Sequence, residues 1–175
     1  MIVDHNNRDA AKTVPDGLRV MPVEPPLHRA LLRLRVRPTQ CGRVGAMADL
    51  LADVTQCPGS EPMAIMRGDT PIGYYRIDPS ARSVAGRDFI QPARGLRSLF
   101  VDADWQGHGF GTRALTLLLE DLAARHPDTR LLVLTVDCDN HTAIRMYHRA
   151  GFVDGGARYH GGRCGPQRLL LRALP

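Results

Sequence analysis

Leu96-Arg97-Ser98-Leu99-Phe100-Val101-Asp102-Ala103-Asp104-Trp105-Gln106-Gly107-His108-Gly109-Phe110-Gly111-Thr112 joins an apolar run to a glycine-rich turn and then to a periodic helix. A strand therefore delivers Gly107, Gly109 and Gly111 onto a helix N-terminus. The first turn of a helix has backbone N–H groups without intrahelical partners and carries the positive end of the macrodipole, so it attracts an anion without any lysine. Glycine matters there because a Cβ would hold a phosphate away from the amides or forbid positive φ. The helix is expected over residues 111–125, with Ala114, Leu115, Leu118, Leu119 and Leu122 on one face.

Three owners of such a cradle are common. A P-loop is excluded, since no Gly-Lys-Ser/Thr follows the turn. A G-x-G-x-x-G dinucleotide fingerprint fits poorly. Counted from Gly109, its third glycine falls on Ala114, and counted from Gly107 it falls on Thr112. Asp137 ends the next strand, where a ribose-binding acid sits in that pattern, but the turn enters at mid-chain rather than on a first βαβ unit. The third pattern, Q/R-x-x-G-x-G/A, is matched fully by Gln106, Gly109 and Gly111.

Working outward, residues 131–136 are an unbroken run of Leu, Val and Thr, the mark of a central strand covered on both faces. A short helix over 142–150 follows, ended by Gly151, and residues 152–158 and 167–173 are two further strands around a glycine-rich loop. Upstream, residues 63–67 and 72–77 flank Gly68-Asp69 as a hairpin, and 80–95 has no clear period. Residues 30–36 alternate apolar side chains with arginine and are expected as a half-buried strand, with a helix over 42–54. Residues 1–26, polar at the start and holding Pro15, Pro22, Pro25 and Pro26, are expected as a flexible arm before one domain over 27–175. The pattern describes an α/β fold, one sheet with helices on both faces.

At 175 residues, 43% hydrophobic and 23% charged, the chain has the composition of one ordinary globular domain. It has no apolar run of membrane-spanning length and no signal-peptide core, so a cytoplasmic protein is expected, with no membrane partner. Cys41, Cys57, Cys138 and Cys164 form no C-x-x-C pair, and neither a metal site nor a redox dithiol is expected. The net charge of +5 is spread along the chain, without the basic stripe or aromatic interleaving of a nucleic-acid reader.

A second constellation follows the central strand: Asn140-x-x-Ala143-x-x-x-Tyr147-x-x-x-Gly151-Phe152. Asn140 and Tyr147 are seven residues apart, nearly two helical turns, and so share one side of the short helix. The two motifs together, in this order and on these elements, resemble the GNAT superfamily of N-acetyltransferases. The resemblance is tight over 96–152 and follows the element order over about 30–173. It implies an acyl-CoA N-acyltransferase fold, a single mixed sheet whose central strands splay, and transfer of an acetyl group from acetyl-CoA to a primary amine of a small molecule or peptide. It also implies direct transfer in a ternary complex without a metal, and it leaves a homodimer open.

What the resemblance implies for single residues is specific. The splayed strand holds the pantetheine arm at Phe100 and Val101. The amides of Gly107, His108, Gly109, Phe110, Gly111 and Thr112 hold the pyrophosphate, Gln106 closes the turn, and Asn140 contacts the pantetheine arm. Tyr147 gives a proton to the departing thiolate, for which a phenol near pKa ~10 facing a thiol near ~8.5 is close to balanced. Read without the resemblance, Tyr147 is a core aromatic, Asn140 a helix N-cap and His108 a solvent-facing spacer. Asp78, Asp88, His148, Tyr159 and His160 are the candidates for a base, with a water relay as the default, since strand 96–101 has no carboxylate. Asp102 and Asp104 are expected to shape the loop; the glycine-rich stretch 161–167 reads as a hairpin loop, with Tyr159, His160 and Arg163 the residues there available to an acceptor. Asp78, Asp88 and Glu61 are the acids available to a polyamine acceptor. A CoA-binding module without catalysis and a nucleotide-binding oxidoreductase are the alternatives.

Overall fold

The computed structural model describes residues 17–162 and 164–175. Its strands are β1 (Leu18–Pro22), β2 (Glu61–Arg67), β3 (Thr70–Asp78), β4 (Ala93–Val101), β5 (Leu131–Asp137), β6 (Val153–Tyr159) and β7 (Gln167–Ala173). They form one seven-stranded sheet in the order β1-β2-β3-β4-β5-β7-β6. Every neighbouring pair is antiparallel except β4 with β5. The expected hairpin is present: β2 and β3 turn through Gly68-Asp69, with Arg67 opposite Thr70 and Gly68 at φ +58°.

Both faces of the sheet are covered. On one face, α5 (Phe110–Arg125) and α6 (His141–Arg149) bury Leu115, Leu118, Leu122 and Ile144 against Met63, Ile65, Leu132 and Leu134. On the other face, α1 (His28–Leu31) and α3 (Met47–Gln56) pack Leu31, Met47 and Leu50 on Ala64, Met66, Tyr74 and Phe100. The single turn α4 (Arg82–Ala85), inside the segment read as irregular, sets Val84 against Val133 and Leu169.

Three expectations change. Residues 30–36 form no strand: α1 ends at Leu31 and irregular chain follows. Leu31 and Leu34 are buried whereas Leu32 is 51% exposed, so the apolar spacing that matters is three, not two. The helix expected over 42–54 is two helices, α2 (Cys41–Val44) and α3, broken at Gly45, whose φ is +86°. Part of the expected arm is sheet, since β1 runs antiparallel to β2 from Leu18 opposite Arg67 to Pro22 opposite Met63. β1 lies at the sheet edge, where the missing N–H of Pro22 is tolerated. Residues 1–16 lie outside the described residues.

The feature that positions the site is the parting of β4 from β5. The two pair only at Ala93, Arg94 and Gly95 opposite Leu131, Leu132 and Val133. Beyond that point β5 stays with β7 along its whole length, to Asp137 opposite Gln167. β4 stays with β3. A bulge drives them apart: Tyr74 faces Phe100 and Arg76 faces Arg97, so β4 carries one extra residue, and Ser98 lies there at φ +56°. Bulges bend a strand and increase its twist.

Candidate active site

The glycine turn sits at the end of the bent strand. Gly107 and Gly109 have φ of +82° and +77°, and a Cβ at either would point into open space. Gly111 has an ordinary helical backbone, and a Cβ there would make only van der Waals contacts, with Met146 Sδ at 3.5 Å and Val101 Cγ2 at 4.0 Å. The first two glycines are thus required by the path of the chain, and the third is replaceable by alanine. Gly109 is the N-cap of α5 and supplies no side-chain acceptor to the helix's first amides. The Gln106 side chain closes the turn, its Nε2 donating to the Val101 carbonyl at 2.8 Å and to Gln40 Oε1 at 2.9 Å. Asp102 shapes the entry: its Oδ2 accepts from the Arg35 amide at 2.7 Å and its Oδ1 from the Asp104 amide at 3.0 Å. Asp104 is exposed and serves the loop through that amide.

Buried Phe110 anchors the turn beneath two guanidinium groups. Arg67 and Arg113 stand 5.2 and 4.9 Å from its ring centroid, and Trp105 meets it edge-on at 5.9 Å. Uncapped amides, a helix N-terminus and two cations share one small region. His108 and Thr112 are exposed, the former with Nδ1 3.3 Å from the Trp105 carbonyl.

Alternation along β4 tells which backbone groups face the gap. The Asp102 amide donates to the Ile72 carbonyl at 2.8 Å, so Asp102 and Phe100 direct their peptide groups to β3. Val101, between them, directs its peptide groups to the side that β5 has left. Its carbonyl is taken by Gln106, and its N–H faces the gap. Phe100 contributes its ring to the core under α1 and α3 instead.

The gap is a cleft of about 290 Å³. Residues 96–99 of β4 form one wall and residues 134–137 of β5 with Asn140, Ala143 and Tyr147 of α6 the other. Asn140 Oδ1 accepts from the Ala143 amide at 3.3 Å, so it is the N-cap of α6 and a cleft residue at once. Tyr147 is buried, packed edge-on against Phe152 at 5.4 Å, and its burial pushes the phenol pKa well above the usual value. A larger hollow of about 570 Å³, lined by residues of 79–94 and 125–129, contains none of the motif residues.

The base candidates separate sharply. Asp78 is fully buried, bridged by Arg76 at 2.7 and 3.1 Å and by the hydroxyls of Ser60 and Ser83 at 2.6 and 2.7 Å. Burial alone would raise its pKa, but the hydrogen bonds from Ser60, Arg76 and Ser83 outweigh that and hold it below the usual carboxylate value. It is a poor proton acceptor. Asp88 pairs with Arg82 at 2.7 Å beside the other hollow. Glu61 is occupied by Arg125, His126 and Arg94. His148 and His160 are exposed, whereas Tyr159 lines the cleft. Arg163 lies outside the described residues.

Sequence reasoning missed several cleft residues: Arg43, Asp53, Arg76, Arg97 and Ser98. Only Arg76-x-Asp78, two residues apart on one strand face, carried a local signal of pairing. Asp137, weighed in the sequence only against the dinucleotide pattern, is buried in the cleft wall with Gln167 Nε2 at 2.8 Å and Arg43 Nε at 3.3 Å. Among the described residues no cluster of three or more metal-ligating side chains occurs, and no helix is long and apolar enough to cross a membrane.

Comparison with known proteins bears on this arrangement. A family profile described as the acetyltransferase (GNAT) family matches residues 29–152. An uncharacterised N-acetyltransferase of Bacillus subtilis, YbbJ, is 30% identical over 112 residues, covering 63% of this chain and 68% of that protein. A spermine/spermidine N(1)-acetyltransferase of the same organism is 27% identical over 129 residues, covering 73% and 82%. Among solved structures, the aminoglycoside acetyltransferase AAC(6')-Ib in complex with coenzyme A superposes with a TM-score of 0.68 at 24% identity, covering 89% of this chain and 94% of that one.

Proposed function

The chain belongs to the GNAT acetyltransferase family, and on that premise we propose that it moves an acetyl group from acetyl-CoA to a primary amine of a small molecule or peptide, both substrates being bound together. The observation that carries the reading is that β4, once it leaves β5, runs on into the glycine turn, while Asn140 and Tyr147 line the cleft opened by that parting.

The donor fits residue by residue. The amides from Gly107 to Thr112 hold the pyrophosphate, with Arg67 and Arg113 adding positive field. The parted edge of β4 offers Val101 N–H to the pantetheine arm as a neighbouring strand would. Asn140, its Oδ1 engaged in the cap, keeps its amide hydrogens for the same arm.

In the transfer, the neutral amine's lone pair forms the new C–N bond at the thioester carbonyl carbon, and the C–S bond breaks with its electron pair leaving on sulfur. Tyr147 gives its hydroxyl proton to that thiolate and regains one from water. The amine's surplus proton leaves through water, since none of the carboxylates named as bases is free to take it. Backbone N–H groups at the bulge stabilise the charge that develops on the carbonyl oxygen. Ser83, Ser98 and Cys164 line the cleft, but among the described residues no histidine lines it to activate any of them as an acyl carrier, which supports direct transfer.

Thiol release from acetyl-CoA across a panel of amines, read beside thermal shifts with acetyl-CoA, NAD and ATP, tests the reading. Stabilisation by acetyl-CoA and amine-dependent thiol release are expected. Stabilisation by NAD alone overturns it in favour of an oxidoreductase, and tight acetyl-CoA binding without release to any amine in favour of a silent module.

A further inference from the structure

The glycine turn contributes nothing to the lining of the cleft between β4 and β5, so the cleft is the reacting and acceptor end of the site. Three arginines from different elements meet there: Arg43 of α2, Arg76 of β3 and Arg97 of β4. Two of them are neutralised, Arg43 by two carboxylates and Arg76 by one. Arg43 lies 3.3 Å from Asp137 and 3.2 Å from Asp139. Arg76, nearly buried, holds Asp78 through two nitrogens.

Arg97 differs. Its Nη1 is 3.8 Å from Asp78 Oδ2, an oxygen that already accepts from Arg76 and Ser83. One carboxylate thus serves two guanidinium groups, and the Arg76–Asp78–Arg97 cluster keeps one uncompensated positive charge. Arg97 is also 41% exposed, open to a ligand. Asp53, on the rim in α3, is exposed and takes no part in these pairs, so water and salt screen it. Of the acids named for a polyamine, Glu61 and Asp88 are paired away from the cleft and Asp78 is sealed beneath Arg76, while Asp137 in the cleft wall is engaged by Gln167 and Arg43.

Resting on the acetyltransferase reading, we propose that Arg97, backed by Arg76, is an anion subsite for the acceptor, and that the acceptor is a small amine bearing a carboxylate. A guanidinium presents paired donors in a plane that matches a carboxylate, and the match adds specificity as well as attraction. Arg97 immediately precedes the Ser98 bulge, so a short molecule reaches from its guanidinium to the parted strand where the acetyl group is received. The amine sits at the bulge and the carboxylate at Arg97. A chain of several ammonium groups meets like charge on the same wall.

Matched pairs differing only by a carboxylate decide it: lysine against cadaverine, ornithine against putrescine, phenylalanine against phenethylamine, by thiol release at one pH. The carboxylate-bearing member of at least one pair is expected to show about tenfold higher kcat/KM, as charge-assisted pairing allows. Because an α-amine is also the weaker base, the same pairs are run on Arg97→Gln. There the preference collapses to within about twofold through a higher KM for the amino acid, the mark of lost binding rather than lost chemistry, and Arg97→Lys recovers part of it. A preference for the decarboxylated member in every pair, a preference that Arg97→Gln leaves intact, or no release from any of the six overturns the subsite. Those results leave the acetyltransferase reading standing as long as acetyl-CoA stabilises the protein and some other amine releases thiol. Failure of both overturns that reading as well.

Discussion

Tyr147 and Asn140 each have a structural reading and a proposed functional one. Asn140 caps α6 through Oδ1 while lining the cleft, and Tyr147 packs on Phe152 while lining it too. Structural and catalytic readings of these residues are therefore compatible, because a helix cap uses one atom of an amide and a ring stack leaves the hydroxyl at the far end. Burial keeps the Tyr147 phenol protonated across the neutral range, so the proton donor proposed for the transfer does not change state with pH there. Tyr147→Phe is expected to lower kcat by about 100-fold, the lower range for general acid catalysis, with the acetyl-CoA KM within about twofold. Steady-state kinetics check this. The pH profile separates donor from acceptor: kcat/KM rises with pH as the acceptor amine loses its proton, and no falling limb from Tyr147 is expected below about pH 10, the ordinary phenol value. A falling limb near neutrality would assign proton donation to a different group.

At the scale of elements, the need for glycine at 107 and 109 was legible, because local backbone rules alone decide it, whereas Gly111 has an ordinary helical backbone. Gly107 and Gly109 need positive φ whatever surrounds them. Gly109→Ala is expected to destabilise the protein by about 1–2 kcal/mol, the cost of the left-handed backbone for a residue with Cβ, and to raise the acetyl-CoA KM. Gly111→Ala, meeting nothing nearer than Met146 Sδ at 3.5 Å, is expected to do neither, and thermal melting with acetyl-CoA titration compares the two. Residues 30–36 were misread for the opposite reason. Alternating leucine and arginine satisfies a strand on paper, but the outer side of β2 is taken by β1. The segment instead lies over Tyr74 and Phe100, anchored by Leu31, Leu34 and the backbone bonds of Arg35 to Asp102 and Ala103.

Across the whole molecule, the buried Arg76–Asp78 pair ties β3 to α4 and to the cleft. Asp78 has its pKa lowered on folding by hydrogen bonds that outweigh burial, and Glu61 likewise through Arg125. A carboxylate lowered in the folded state stabilises fully above its unfolded pKa, and that contribution is lost as pH falls through the folded value. Stability is therefore expected to drop below about pH 4, the ordinary carboxylate range. Asp78→Asn should cost about 3 kcal/mol at neutral pH, as breaking a buried pair does, and should flatten the dependence of Tm on pH below that range. Thermal melts of both proteins from acid to neutral pH measure it. The sequence by itself determined the strand, turn and helix that make the anion cradle, the seven-residue step from Asn140 to Tyr147, and the two-faced sheet, because each follows from periodicity and backbone geometry within one segment. Only the tertiary structure decided that β1 joins the sheet, that Ser98 bends β4 away from β5, and that Arg43, Arg76 and Arg97 meet in the gap so formed. Those arginines are contributed by three elements far apart in the chain, and no local rule encodes which charges will share a carboxylate.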